Sequence, residues 1–185
     1  REIAKLRFWA IGAQYSIECL RDDEYVELLG KANCRMSFLG MESLNEESLR
    51  DVEKKQNKVE EYKEFFHKLN KKGILTFTGF MFALDEDTPE YYETLPQKLE
   101  EVGVNVILPS ISIPIYGTPL HKKMVDENRI IDNDITHYEG DHVLFRHKHL
   151  TEEQIYYYYE RTIKIFYSWK NILKIKRQNI PSFLF

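Results

Sequence analysis

Residues 36–44 read Met-Ser-Phe-Leu-Gly-Met-Glu-Ser-Leu and carry a carboxylate to the end of a short apolar run. Phe38 to Met41 form the run, Glu42 and Ser43 close it, and a long helical pattern follows at once. A carboxylate accepts hydrogen bonds from a ligand's hydroxyls, and a serine hydroxyl can donate or accept. In α/β folds ligands bind where strands end and loops open. The same residues also read as a plain strand-to-helix turn, with Ser43 or Asn45 as helix N-cap. Both readings stand at this level.

Other residues with chemical potential are weaker candidates. Of His137, His142, His147 and His149, only the last two are close in sequence, and an i, i+2 pair converges only on extended backbone. No cysteine or carboxylate joins them at a metal-ligand spacing, so they read as surface or structural histidines. Asp85-Glu86-Asp87 precedes Thr88-Pro89, where acids favour a helix N-terminus without any cation. Tyr156 to Tyr159 would point all round a helix instead of forming one stacking face. Lys174-Ile-Lys-Arg177 reads as a solvated helix end. Dinucleotide, phosphate-loop, nucleophile-elbow and zinc-protease motifs are absent from the sequence.

The elements that must position these groups alternate. Apolar runs at 6–13, 35–41, 74–84 and 104–113 read as strands. Helical spacing covers 23–32, 45–72 with a break near Gln56-Asn57, and 89–102 with Pro96 as a point of kinking. Lys71-Lys72-Gly73 is a helix stop, and Thr88-Pro89 a start. The order β-α-β-α-β-α-β argues for a parallel sheet, and strands apolar on both faces argue for helical cover on both sides. After residue 113 two prolines and a glycine fix a tight loop, Pro114-Ile-Tyr-Gly-Thr-Pro-Leu120. A short helix over 120–127 follows, then an aperiodic stretch, then one long helix from Thr151-Glu-Glu-Gln to about residue 176.

The 185 residues suit one domain, and 43% hydrophobic content suits a sizeable core. A net charge of −4 leaves no basic footprint for nucleic acid. No apolar stretch approaches the roughly 20 residues of a membrane-spanning helix. Two cysteines, Cys19 and Cys34, suit a reducing cytoplasm. The chain opens on Arg1 with no signal-peptide pattern, which reads as a piece of something longer.

Taken in order, the strand ends resemble the radical SAM superfamily, in particular the group with an N-terminal cobalamin-binding domain. Trp9-Ala-Ile-Gly-Ala-Gln14 is similar to that family's third barrel strand. Leu39-Gly-Met-Glu-Ser-Leu44, with Lys55-Gln56-Asn57 after it, is similar to the fourth. Gly79-Phe-Met-Phe-Ala-Leu-Asp85, followed by Asp87-Thr88, is similar to the fifth. Ile113-Pro-Ile-Tyr-Gly-Thr-Pro-Leu120 is similar to the segment after the sixth. Arg129-Ile, Tyr138 to Phe145 and Leu150-Thr-Glu-Glu fit the group's tail, so the resemblance spans roughly residues 6–168. The chain departs from the pattern at Tyr116, where proline is common, and at Ala83, where glycine is common. The cysteine loop CxxxCxxC that holds the iron–sulfur cluster, and a Gly-Gly-Glu-type segment, are not in this sequence.

The resemblance implies the carboxyl-terminal half of a partial (β/α) TIM-like barrel over 1–120, with a loop and helical extension over 121–185. It implies a radical SAM enzyme as the full-length protein, with SAM, a 4Fe–4S cluster and possible use of cobalamin. It places SAM contacts at Glu42, Ser43, Gln14, Gly79 and Phe80, and a substrate or adenine rim at Pro114, Gly117 and Thr118. It implies an inactive fragment, lacking the N-terminal half, with a small-molecule substrate and no metal ligands of its own. The first and last strands of a half barrel would have open edges prone to self-association. The alternatives are a non-catalytic α/β scaffold that kept the fold without the cluster, which the upstream sequence would discriminate, and a flavodoxin-like domain, which the missing phosphate loop disfavours.

Overall fold

A computed structural model, which describes residues 1–179, places four strands in one parallel sheet in sequence order. They are β1 (Ile11–Gln14), β2 (Cys34–Glu42), β3 (Leu75–Phe82) and β4 (Val106–Ile111). A single turn, α1 (Glu2–Lys5), comes first. The connections hold α2 (Asp23–Lys31), α3 (Glu46–Asp51), α4 (Val59–Lys71) and α5 (Pro89–Val102). Neighbours that follow the sequence without reversal are the topology of a barrel segment; a doubly wound sheet would reverse its strand order. The structure thus has the α/β, partial-barrel architecture that the strand-end motifs imply.

Local chemistry sets the helix starts. Asp22, Asn45, Thr88, Thr118 and Thr151 accept hydrogen bonds from the first free N–H groups of their helices. Thr151 and Gln154 complete a reciprocal capping box. Gly103 ends α5 in the left-handed conformation, at φ 82°.

Burial alternates along the strands. In β3, Thr76, Thr78, Phe80 and Phe82 are buried, while Leu75, Phe77, Gly79 and Met81 are only half-buried. Phe80 and Phe82 of this set pack with Tyr62, Phe65, Phe66 and Leu69 of α4 and Tyr92, Leu95 and Leu99 of α5. Helices therefore cover one face of the sheet, which corrects the expectation of cover on both. The other face carries the stacked rings of Phe38 and Phe77, 5.1 Å apart, and leaves Leu108 46% exposed.

The first strand is shorter than the apolar run at 6–13: Leu6, Phe8 and Trp9 are exposed, and only Ile11–Gln14 pair with β2. A 3-10 turn at Ile17–Arg21, unforeseen in the sequence, buries Ile17 and Leu20. The expected long last helix is two, α7 (Glu152–Phe166) and α8 (Trp169–Asn179), with α6 (Pro119–Asp126) before them. At the break stands Tyr167, whose hydroxyl turns to the β4 edge, donating to the carbonyl of Ile107 and accepting from its N–H. Gly140 accepts from the N–H of Ile111, and Pro109 has no N–H. The free edge of β4 is therefore sealed, which corrects the expectation of two open edges. Residues beyond 120 share the core of the sheet: Val143, Leu150, Ile155, Tyr158 and Phe166 are buried in it.

Candidate functional site

Glu42 is the last residue of β2 and has a left-handed backbone, at φ 65°. The β2–β3 register slips between Gly40 and Glu42, a bulge that re-aims the side chain. Asn57 fixes that bulge by donating from its side-chain amide to the carbonyls of Gly40 and Met41, at 2.9 and 3.0 Å. The Tyr62 hydroxyl adds a third donor, 3.0 Å from the carbonyl of Met41.

The outcome is a carboxylate laid over two glycines. Gly40 and Gly79 are cross-strand partners on the open face. A Cβ at Gly40 would meet Oε1 of Glu42 at 2.6 Å, and one at Gly79 would lie 3.7 Å from Oε2. Gly40 therefore lets the carboxylate lie where it does, since a side chain there would push it aside; Gly79 keeps the strand backbone bare beside it. Lys54, in the turn after α3, holds Oε1 at 3.1 Å. The Glu42 side chain remains 16% exposed. A carboxylate with one oxygen anchored and the other at an open surface can accept hydrogen bonds from a ligand's hydroxyls.

The remaining expected residues divide. Gln14 ends β1, exposed, and pairs with Phe38, which puts it on the same open face as Gly40 and Gly79. Ser43 is fully buried, and its hydroxyl lies 3.2 Å from the Tyr91 hydroxyl while accepting from the N–H of Asn45. Asn45 is the cap of α3. The Phe80 ring is buried on the helix-covered face against Phe82. This corrects the expectation of Phe80 as a SAM contact through its side chain, since only the backbone at 79–80 borders the open face. Pro114 is buried. Gly117, at φ 82°, and Thr118, whose hydroxyl donates to Ile115 and accepts from the N–H of His121, shape the turn and cap α6. Ala83, at φ 60°, sits in the left-handed region, which glycine enters without the cost a side chain carries.

Around these strand ends lie two acids of opposite behaviour. Burial pushes the Asp87 carboxyl up to about 6, although Tyr92, Ser48, Leu84 and Asn45 all donate to it. Burial would raise Asp85 too, but Arg129 and Lys123 outweigh it and hold its carboxyl well below the usual range. Lys123 also bridges to Asp51, so β3, α3 and α6 are tied together. His147 is buried, with Nε2 at 2.7 Å from the carbonyl of Leu84 and Nδ1 accepting from the N–H groups of His149 and Leu150. His137 and His142 stack on each other, each against an aspartate. Among the described residues no three histidine, cysteine or acidic side chains form a metal-holding group.

Gly40, Lys54, Asn57 and Tyr62 were not singled out as site residues. Their signal was present only as proximity: Gly40 stands two residues before Glu42, and Asn57 lies in the Lys55-Gln56-Asn57 segment.

No family model matches the chain. Bacteriochlorophyllide d C-12(1)-methyltransferase of Chlorobaculum tepidum is 28% identical over 143 residues, covering 77% of this chain and 31% of that protein. Hopanoid C-2 methylase of Rhodopseudomonas palustris is 24% identical over 124 residues, covering 67% and 24%. A solved structure of the radical S-adenosylmethionine methyltransferase TsrM of Kitasatospora setae, with cobalamin and a 4Fe–4S cluster bound, superposes with a TM-score of 0.59 at 17% identity. That match covers 90% of this chain and 34% of TsrM, and at such identity it speaks for the fold. The chain spans about a third or less of each of these proteins.

Proposed function

We propose that this chain, a relative of the cobalamin-binding radical SAM methyltransferases, is the carboxyl-terminal half of such an enzyme's catalytic barrel. In this reading a 4Fe–4S cluster held outside this chain would give the one electron that cleaves one S-adenosylmethionine to methionine and a 5′-deoxyadenosyl radical, and a cobalamin, also held outside it, would carry to carbon the methyl group of a second, which leaves as S-adenosylhomocysteine. This chain's own part is to bind and orient. The Glu42 carboxylate accepts hydrogen bonds from the ribose hydroxyls. Gly79 and the backbone of Phe80 let the adenine approach the strand, and Gln14 lines the same face. Ser43 acts through the turn it holds. Pro114, Gly117 and Thr118 set the rim against which adenine or substrate rests. The barrel runs through residue 120, and the segment from 121 covers its flank.

The observation that carries this reading is the Glu42 carboxylate over the Gly40–Gly79 pair. A charged oxygen beside bare backbone fits a ligand that is both hydroxyl-rich and flat. The thiolates that would hold a cluster are not among this chain's residues: Cys34 is buried, and Cys19 stands alone on its turn. The missing N-terminal half is thus the partner this chain needs, together with a small-molecule substrate. Two free cysteines support a cytoplasmic location. Among the described residues no helix is long and apolar enough to cross a membrane.

Anaerobic reconstitution of the full-length protein tests the proposal. The expected products from SAM are 5′-deoxyadenosine and S-adenosylhomocysteine, with neither formed by this chain alone. Turnover by residues 1–185 alone, or none by a cluster-loaded full-length protein, would overturn it.

A further inference from the structure

Lys54 stands in a turn whose composition suggests only solvated surface. Its ammonium nevertheless reaches back to Glu42, and both ends of this ion pair are fixed in one frame. The Lys54 N–H donates to the carbonyl of Leu49 in α3, at 2.9 Å, and the Lys54 carbonyl accepts from the N–H of Asn57, at 3.0 Å. The Asn57 side chain then grips the carbonyls of Gly40 and Met41. The cation and the carboxylate are thus tied to each other through three residues of hydrogen-bonded backbone.

The oxygen of Glu42 nearest the Lys54 ammonium is Oε1, the oxygen crowded against Gly40. Oε2 lies on the Gly79 side, 3.7 Å from where a Cβ at Gly79 would stand. An unanchored glutamate would sample several rotamers and would lose that freedom on binding. An anchored one meets the ligand with one acceptor already aimed.

We propose that Lys54 is a positioning residue: it anchors Oε1 of Glu42 so that Oε2 is presented to a hydroxyl-bearing ligand lying on the Gly40–Gly79 pair. This rests on the reading of Glu42 as the ribose-binding carboxylate. Lys54 touches Glu42, and its effect on the ligand passes through that contact.

The test is SAM affinity, measured by anaerobic equilibrium dialysis on the cluster-loaded full-length protein, for Lys54→Met, Lys54→Arg, Glu42→Ala and the Lys54→Met/Glu42→Ala pair. Lys54 is 40% exposed, so methionine is tolerated by the fold, and a thermal melt of each variant checks this. Lys54→Met is expected to weaken binding about five-fold, and Lys54→Arg to restore it to within about two-fold. In the Glu42→Ala background Lys54→Met is expected to add nothing, which a merely structural lysine would not reproduce. Lys58→Met, which removes the same charge from the same turn, is expected to leave affinity unchanged; an equal loss there would mean bulk electrostatics and overturn the inference. Full affinity in Lys54→Met, or a loss that adds in full to that of Glu42→Ala, would also overturn it while leaving the Glu42 reading intact. Full affinity in Glu42→Ala would remove both.

Discussion

Glu42 adopts a backbone conformation that a non-glycine residue enters at a cost of about 1 kcal/mol. The register slip, the two Asn57 hydrogen bonds and the Tyr62 hydroxyl hold it there. Such over-determination motivates a functional reading, because the strained residue is also the one whose carboxylate faces the open surface. Glu42→Gly should therefore separate stability from binding. Its melting is expected to be unchanged or higher by up to about 1 kcal/mol, because relief of the left-handed strain offsets the greater freedom of the unfolded chain. SAM binding by the full-length protein is expected to be lost. A thermal melt showing a loss above about 1 kcal/mol would count against a strained residue. Glu42 was legible as a candidate because a carboxylate at a strand end is unusual. Its strain was not, since φ depends on hydrogen bonds from residues 15 and 20 positions away.

At the scale of elements, β3 and the turn after it carry two buried acids with opposed pH dependence. Asp87 titrates near 6 when folded, above its usual value near 4, so its protonated form is favoured by folding. Its contribution to stability is present below about pH 4 and lost as pH rises through 6. Asp85 runs the other way: its carboxyl is held low by Arg129 and Lys123, so its contribution is present above about pH 4 and lost in acid. Asp87→Asn is expected to flatten the stability profile between about pH 4 and 6, measured by denaturant unfolding across that range. An unchanged slope would show that another group causes it. The element pattern itself was readable, because α4 repeats its apolar residues at helical spacing and β3 is bounded by Gly73 and Asp85. The division of the last helix was not: Tyr167, at the break, bonds Ile107, a residue 60 positions earlier.

For the molecule as a whole, the two sheet edges differ. Among the described residues the outer edge of β1 pairs with no strand, whereas Tyr167, Pro109 and Gly140 close β4. The isolated chain is expected to self-associate weakly through β1, a strand of only four residues, which limits the strength of pairing. Tyr167→Phe should unseal β4 and raise the average mass further at equal concentration. Static light scattering checks both, and a clean monomer for the two proteins alike would sink the idea. The open sheet face, with Phe38, Phe77 and Leu108, belongs to the same account: in the proposed reading it is the interior side of a barrel.

The sequence by itself determined the alternation of strands and helices, the caps, the parallel order and the strand end at which Glu42 stands. These follow from short-range periodicity and from residues within a few positions of one another. Only the tertiary structure decided which face of the sheet is bare, that Phe80 and Ser43 point away from it, and that Gly40, Lys54 and Asn57 hold the carboxylate. Side-chain direction at a bulge and partners across strands depend on register, and register is fixed by the packing of the whole sheet.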